Sequence, residues 1–295
     1  MITDIHYDSK ISRLIEEAIL EDLGLGDLTT DAIVPADARG TGEIKVKEAG
    51  IVAGLDIAAQ VFQFVEPAVE LKILREDGTA VEAGMLVASV EGPLAGILKA
   101  ERTALNILQR MSGIATLTRK FVSAVEGTRA RITDTRKTPP GLRILDKLAV
   151  KLGGGVNHRF GLDEMVLIKD NHIVAAGGIS QAIERSLHHL REGNRDSKVE
   201  VETRNVDEVR EALKIGGIHR IMLDNFSLRE MKQAVEAING RVEIEASGNV
   251  NLENVRAVAE TGVDFISVGA LTHSPKALDI SLKILPAAAR PHNPS

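Results

Sequence analysis

KVEVETRNVDEVREALKIGGIHRIMLDNFSLREMKQAVEAINGRVEIEAS spans residues 198–247 and repeats one pattern. A short apolar run ends in a polar residue and is followed by an amphipathic stretch with helical spacing. The run-end residues Glu202, Asp224, Ser247 and Gly269 follow one another at intervals of 22, 23 and 22 residues. A strand–helix unit of this size, repeated, predicts parallel strands, because each helix returns the chain to the same end of the sheet.

Three more apolar runs extend this pattern on both sides: RITDT, MVLIK and DFISVG. So many repeats indicate an α/β barrel, with a doubly wound open sheet as the alternative. A GxGxxG motif does not open the first unit, so a Rossmann dinucleotide site has no support.

The N-terminal part of the chain has a different pattern. From Gly40 to Gly92 apolar residues alternate with a period near two between glycine turns, around a helix near Ile57–Phe64, which predicts a small α+β domain. Residues 97–125 keep helical spacing, and Gly113 is interpreted as a bend or break between two helices.

Composition excludes several kinds of protein. The 295 residues are 44% hydrophobic, only 2% aromatic and contain no cysteine, which excludes disulfides, thiolate catalysis and cysteine-ligated zinc. A formal charge of −6 argues against a nucleic-acid partner. Neither a signal peptide nor a membrane-length apolar run is recognisable, so a soluble cytoplasmic protein without a membrane partner is expected.

One segment opposes the overall charge. Residues 129–169 hold nine Lys/Arg and four Asp/Glu, a local charge of +5, so the remainder carries −11. The segment includes DTRKTPPGLRILDKLAVKLGGGVNHR, and it suits a small polyanion that holds several cations together. The residues predicted to bind that anion are Arg136, Lys137, His158, Arg159 and Lys169, with Arg102. The cations of the intervening helix, Arg143, Lys147 and Lys151, are interpreted as surface residues.

Polar residues at the strand ends supply the other candidates. Glu202 and Asp224 fit salt bridges to barrel lysines, a Mg²⁺ site shared with substrate phosphates, or stabilisation of a positive charge that develops during a reaction. The turns Ser247–Gly248–Asn249 and Val268–Gly269–Ala270 each fit a tight strand–helix connection, but together, on adjacent units, they favour phosphate binding.

Long ordered motifs across nearly the whole chain resemble those of the decarboxylating quinolinate phosphoribosyltransferases, also called nicotinate-nucleotide pyrophosphorylases. The motifs are EDLGLGDLTTDAI, ERTALNILQRMSGIAT, DTRKTPPGLR, GGGVNHRFGLDEMVLIKDNH, VEVE, LDN and SVGALTHS. The family often has SGG at the penultimate phosphate turn, where this chain has SGN with Asn249.

The resemblance implies a fold, a reaction and partners. The fold is an incomplete α/β (TIM-like) barrel at residues 105–275 with an N-terminal α+β sandwich domain at 1–104. A C-terminal helix at 276–286 is expected to pack with the N-terminal domain, and 287–295 form a disordered tail. The reaction takes quinolinate and 5-phosphoribosyl-1-pyrophosphate with Mg²⁺ to nicotinate mononucleotide, pyrophosphate and CO₂, in NAD biosynthesis. A homodimer is expected, and a higher oligomer is compatible with it.

The resemblance also assigns roles to residues. The quinolinate carboxylates are expected to face Arg136, His158, Arg159 and Lys169, with Arg102 reaching in from the neighbouring subunit. Lys137 faces the pyrophosphate, and Glu202 and Asp224 lie near the ribose and Mg²⁺. Ser247–Gly248 and Gly269–Ala270, with His273, hold the 5-phosphate.

Three other functions remain open. Lys169 at a strand end would suit a Schiff-base aldolase. A nicotinate phosphoribosyltransferase would need fewer cations, and a phospho-ligand sensor on the same fold would bind without turnover.

Overall fold

The computed structural model describes the backbone of residues 4–286 and the side chains of residues 9–286. The predicted disordered tail 287–295 lies outside the described residues. The helices are α1 (Asp4–Leu23), α2 (Leu28–Ile33), α3 (Leu55–Val65), α4 (Leu94–Ala124), α5 (Arg143–Leu152), α6 (Asp170–Ala176), α7 (Ile179–Glu192), α8 (Val206–Ile215), α9 (Leu228–Ile238), α10 (Val255–Ala259) and α11 (Ala270–His273). The strands are β1 (Arg39–Val46), β2 (Gly50–Ile51), β3 (Glu70–Ile73), β4 (Ala80–Val81), β5 (Leu86–Pro93), β6 (Arg131–Thr133), β7 (Val166–Ile168), β8 (Val199–Thr203), β9 (Arg220–Asp224), β10 (Glu243–Ser247), β11 (Phe265–Ser267) and β12 (Ile280–Ile284).

The chain forms two compact units that are discontinuous in sequence. Within the described residues, the first contains 4–117, 139–153 and 275–286, and the second contains Thr118–Thr138 and Gly154–Ser274. Helix α4 therefore belongs to both units, and α5 belongs to the first. The division expected between residues 104 and 105 remains a prediction.

The first unit is built on an antiparallel sheet with the strand order β12-β1-β5-β3. The predicted helix near Ile57–Phe64 is present as α3, which buries one apolar face and packs against α1 and β3. The helix expected at 276–286 is wrong, because β12 occupies that segment and pairs Ile280 with Val46 of β1. The cause is visible in the sequence: apolar residues alternate there with a period of two, which suits a strand. These are Leu278, Ile280, Leu282 and Ile284.

Helix α4 is continuous over 31 residues, so the predicted break at Gly113 is also wrong. Gly113 has a different purpose. A Cβ at this position would overlap the carbonyl oxygen of Lys276 and lie 3.0 Å from the Cα atom of Ala277. The missing side chain lets the segment before β12 cross the helix at close range.

Helix α5 is held in the first unit by a buried ion pair. Asp146 is fully buried and accepts two parallel 2.8 Å hydrogen bonds, from Nε and Nη2 of Arg110 on α4. Burial raises the pKa of Asp146, and the Arg110 guanidinium opposes that rise. Lys147, interpreted from sequence as a surface residue, is 4% exposed.

The second unit is built on six parallel strands in the order β6-β11-β10-β9-β8-β7. Strands β8 to β11 are neighbours in sequence and in space, as repeated strand–helix units require. Side-chain caps start two of the intervening helices, since Asn205 accepts from the Glu208 N–H before α8 and Ser227 forms a capping box with Glu230 before α9. The predicted incomplete α/β barrel with an N-terminal α+β domain is confirmed.

Among the described residues, each helix is too short or too polar to cross a bilayer.

Candidate active site

A cavity of about 840 Å³ opens in the second unit where the barrel strands end. The register explains why distant residues meet there, since Ser247 at the end of β10 lies beside Asp224 at the end of β9. Parallel strands present their carboxyl ends on one side, which is where ligands bind in such sheets. Twelve predicted site residues line the cavity: Arg136, Lys137, His158, Arg159, Lys169, Glu202, Asp224, Ser247, Gly248, Gly269, Ala270 and His273.

Arg102 is the predicted site residue that is not among those lining residues. It lies on α4 in the first unit, and its side chain is exposed. Its expected role across a subunit interface remains a prediction.

Four of the lining side chains are cations, from Arg136, Lys137, Arg159 and Lys169. Arg159 is 8% exposed, its Nη1 donates to the Met165 carbonyl at 3.0 Å, and its Nε has no hydrogen-bond partner. Burial and then the charge of Arg136 lower the pKa of Arg159, although an arginine stays charged in any case. The guanidinium is therefore fixed in place and crowded by positive charge, which an anion would relieve.

His158 lies on a buried acidic cluster that sequence reasoning did not assign to the site. Its Nε2 is 3.1 Å from Glu200 and 3.5 Å from Glu245, and both glutamates are fully buried. Nη1 of Arg220 donates to Oε2 of Glu245 at 2.9 Å, the same oxygen that lies near His158. The signal in the sequence was a pair of glutamates inside apolar runs, VEV in β8 and IEA in β10, where a buried charge needs a partner.

The cluster changes the charge state of the imidazole. Burial lowers the pKa of His158, but the carboxylates of Glu200 and Glu245 outweigh it and raise the pKa to about 9. One contact opposes this, because the Arg159 backbone N–H lies 2.8 Å from Nδ1 and donates only while Nδ1 carries no proton. Two buried carboxylates within 3.5 Å outweigh one neutral donor, so His158 is cationic at neutral pH.

A further buried carboxylate fixes the backbone beside His158. Asp134 is fully buried, accepts the His158 N–H at 2.8 Å and accepts the Asn157 side-chain amide at 2.7 Å. These bonds hold the chain after the triple glycine, so that His158 and Arg159 both line the cavity.

The two predicted carboxylates at the strand ends differ in their partners. Glu202 accepts from Nζ of Lys169 at 3.1 Å, and Asp224 accepts from the Asn225 amide at 2.8 Å. Both line the cavity, and the oxygens of two carboxylates are a suitable set for Mg²⁺ that also binds substrate phosphates and water. A second group has ligand atoms close enough together to hold a metal ion: His158, Glu200 and Glu245. Within this group, however, Glu200 is paired with His158 and Glu245 is paired with Arg220.

The two glycine turns lie on adjacent strands, as predicted. Gly248 has φ of +97°, and a Cβ there would overlap the Asn225 side chain. Gly269 directly precedes α11, and a Cβ there would lie 3.1 Å from the Lys137 side chain. The first turn differs from the prediction, since the following helix α10 begins only at Val255.

Fold and cavity define a class of protein: an α/β-barrel enzyme whose site combines clustered cations with two glycine turns suited to phosphate. Models of the quinolinate phosphoribosyl transferase N-terminal and C-terminal domains match residues 27–112 and 114–283. The chain belongs to the quinolinate phosphoribosyl transferase family, which confirms the family predicted from the motifs.

Individual relatives agree with this family. The chain is 47% identical to quinolinate phosphoribosyltransferase (decarboxylating) 2, mitochondrial, of Nicotiana glauca, over 94% of this chain and 82% of that one. It is 45% identical to the probable nicotinate-nucleotide pyrophosphorylase (carboxylating) of Synechocystis sp., over 92% and 91%. Among solved structures, the nicotinate-nucleotide pyrophosphorylase from Francisella tularensis is 39% identical with a TM-score of 0.88, over 94% and 96%.

Proposed function

We propose that this chain transfers the phosphoribosyl group of 5-phosphoribosyl-1-pyrophosphate to quinolinate, with loss of CO₂, to give nicotinate mononucleotide and pyrophosphate in NAD biosynthesis. The observation that carries the proposal is the cavity itself. Four cations and a protonated histidine line one cavity with two glycine turns, in a chain of net charge −6. Such a site requires ligands with several negative charges, and these two substrates are a dicarboxylate and a triply phosphorylated ribose.

The quinolinate end of the site is assigned to Arg136, Arg159, His158 and Lys169. Guanidinium groups bind carboxylates through two parallel hydrogen bonds, and the unpartnered Nε of Arg159 is a donor of the required kind. A second carboxylate on the ring needs a second cationic partner, which Arg136 supplies. This requirement favours quinolinate over nicotinate, which has a single carboxylate.

The phosphoribosyl end is assigned to Lys137, His273 and the two turns. The backbone of Lys137 is held in place, because its carbonyl oxygen accepts a hydrogen bond from the Thr272 hydroxyl at 2.8 Å. Its side chain passes the glycine turn at Gly269. Lys137 is therefore a cation beside the turn at Gly269. Gly248 and Gly269 have no side chains, so phosphate oxygens can approach the backbone of both turns.

Glu202 and Asp224 are the residues that would hold Mg²⁺. When bound, the ion would neutralise charge on the pyrophosphate as it leaves. Glu202 has a second role in this proposal, because its carboxylate faces the positive charge that develops on the ribose ring. Lys169 keeps that carboxylate in place through their 3.1 Å ion pair.

The chemistry then follows from charge. The lone pair of the pyridine nitrogen forms a bond to C1 of the ribose as the C1–oxygen bond to pyrophosphate breaks. Lys137 stabilises the departing anion. The ring nitrogen is now positive, so it stabilises the electron pair that stays on the neighbouring ring carbon when the bond to the carboxylate breaks and CO₂ leaves. A proton then binds that carbon in place of the carboxylate.

Oligomer and location complete the proposal. We place Arg102 in the quinolinate site of the neighbouring subunit, since the cavity-lining residues do not include it and its side chain is exposed. The expected cytoplasmic location rests on the sequence alone, whereas relatives of this chain carry names that place them in mitochondria or chloroplasts.

The deciding experiment measures release of labelled CO₂ from carboxyl-labelled quinolinate, with nicotinate tested alongside. The proposal expects CO₂ and nicotinate mononucleotide in equal amounts, and only when quinolinate, phosphoribosyl pyrophosphate and Mg²⁺ are all present. Turnover of nicotinate in preference to quinolinate would identify the related transferase. Binding of both substrates without CO₂ would support a sensor, and trapping of a carbonyl substrate on Lys169 by borohydride would support an aldolase.

A further inference from the structure

A chain of three polar side chains connects the penultimate glycine turn to the carboxylate at the end of β9. The side-chain amide nitrogen of Asn249 donates to Oδ1 of Asn225 at 3.0 Å. The amide nitrogen of Asn225 in turn donates to Oδ2 of Asp224 at 2.8 Å. All three residues line the cavity, so the connection lies within the candidate site.

The direction of this chain is set by its last member. An ionised carboxylate only accepts hydrogen bonds, so Asn225 must turn its NH₂ group toward Asp224. Its oxygen then faces the opposite way, and a donor is required there. Asn249 supplies that donor through its NH₂ group, whereas an aspartate at 249 would present an oxygen to an oxygen.

The backbone is shaped to bring the two amides together. Asn225 and Asn249 both adopt left-handed conformations, with φ of 57° and 52°. Asn is among the few residues other than glycine that tolerate this region. Gly248 leaves room for the Asn225 amide, which a Cβ would overlap. The carbonyl of Asn249 is fixed by the Asn254 amide at 2.9 Å.

We propose that Asn249 is a positioning residue that orients the Asp224 carboxylate through Asn225 and so couples the 5-phosphate turn to the carboxylate at the ribose. This inference rests on the proposed function, in which the turn holds the phosphate and Asp224 faces the ribose and the metal. Loss of the Asn249 amide should therefore weaken productive binding of phosphoribosyl pyrophosphate and leave quinolinate binding unchanged.

The test compares two substitutions that both keep the left-handed backbone. Asn249→Gly removes the amide, and Asn249→Asp replaces the donor with an acceptor. Removing one hydrogen bond of this kind should raise the KM for phosphoribosyl pyrophosphate roughly fivefold in Asn249→Gly. Asn249→Asp should raise it further, because two oxygens then face each other. The KM for quinolinate should stay at the wild-type value in both.

The control is Asn239→Gly. Asn239 is exposed, is also left-handed with φ of 47°, and ends α9 away from the cavity-lining residues. It reports what an asparagine-to-glycine change does to the backbone alone. Calorimetric titration of each variant with phosphoribosyl pyrophosphate in the absence of Mg²⁺ adds a readout that does not depend on turnover.

The outcomes separate this inference from the proposed function. A selective rise in the KM and Kd for phosphoribosyl pyrophosphate, absent from Asn239→Gly, supports the positioning role. Wild-type values in Asn249→Gly, or an equal rise for both substrates, overturn it while the wild-type activity still upholds the proposed function. If the wild-type enzyme releases no CO₂, the proposed function is overturned instead. If, in addition, the wild type and Asn249→Gly have the same Kd for phosphoribosyl pyrophosphate, the inference is overturned as well.

Discussion

The substitution Gly113→Ala should lower the stability of the protein, although glycine-to-alanine changes inside a helix usually raise it. Alanine is favoured over glycine inside a helix by about 1 kcal/mol, so the change would ordinarily stabilise α4. Here the new Cβ would lie 3.0 Å from the Cα of Ala277 and closer still to the Lys276 carbonyl oxygen. The overlap with the carbonyl oxygen is the tighter of the two contacts, so one of the two backbones must retreat by about 1 Å to relieve it.

That retreat has a cost that follows from the neighbouring bonds. The Leu278 N–H donates to the Gln109 carbonyl at 3.0 Å, and the Gln109 side chain donates back to the Ile280 carbonyl at 2.7 Å. Overpacking costs about 1–3 kcal/mol and each weakened hydrogen bond about 1 kcal/mol. After the helix gain is subtracted, the free energy of unfolding should fall by about 2 kcal/mol, and the midpoint of thermal unfolding by roughly 5 °C.

Thermal and urea unfolding followed by circular dichroism measure this effect. Asn106→Ala is the matched control, because Asn106 is exposed on the same helix and its replacement should add about 0.5 kcal/mol. A Gly113→Ala variant as stable as the wild type, beside a stabilised control, would refute the assignment of Gly113 to close packing.

Three further predictions concern the site. Lys137→Met should lower kcat roughly 10²–10³-fold with an unchanged circular dichroism spectrum, because the exposed cation that stabilises the departing pyrophosphate is lost. Steady-state kinetics measure this effect, and a kcat near the wild-type value would contradict it. The pKa of His158 is raised from 6.5 to about 9, so its stabilisation of about 3 kcal/mol is complete below pH 6.5 and is lost as the pH rises through 9. His158→Gln should remove that slope from the free energy of unfolding, and parallel pH profiles for the two proteins would contradict the charge state. Arg102→Ala and Lys137→Ala, each inactive alone, should partly regain activity as mixed dimers, and no recovery after verified subunit exchange would exclude a shared site.

Sequence reasoning succeeded where one local pattern decides the outcome. The repeat of apolar runs and polar ends places Glu202, Asp224 and Ser247 at strand ends, and the register brings the last two side by side. Position along a parallel strand is enough for this, because the fold itself brings the carboxyl ends together.

It failed where long-range contacts decide. In the sequence, Gly113 cannot be distinguished from a glycine that breaks a helix. Only the close packing of residues 276–277 against it in the structure explains the glycine. Asp146 and Lys147 fit the polar side of a helix, yet both are buried, and Asp146 meets Arg110 from 36 residues away. The C-terminal strand was misread because its alternation over residues 278–284 is short and its partner β1 lies far away in sequence.

The buried carboxylates explain how the cavity tolerates its cations before substrates arrive. Two like charges 6 Å apart repel by about 3 kcal/mol at an effective dielectric constant of 20, so a cluster of four would spread without compensation. Asp134, Glu200 and Glu245 are fully buried next to the loop that carries His158 and Arg159. These three carboxylates offset part of the repulsion from within the barrel. The charge of Lys169 is offset separately, by its ion pair with the Glu202 carboxylate at the end of β8. Asp134 and Glu200 are not among the lining residues, but Glu245 is. With Glu202 and Asp224 it gives three lining carboxylates against four Lys/Arg side chains and the protonated His158, so the lining keeps a positive balance that suits anions.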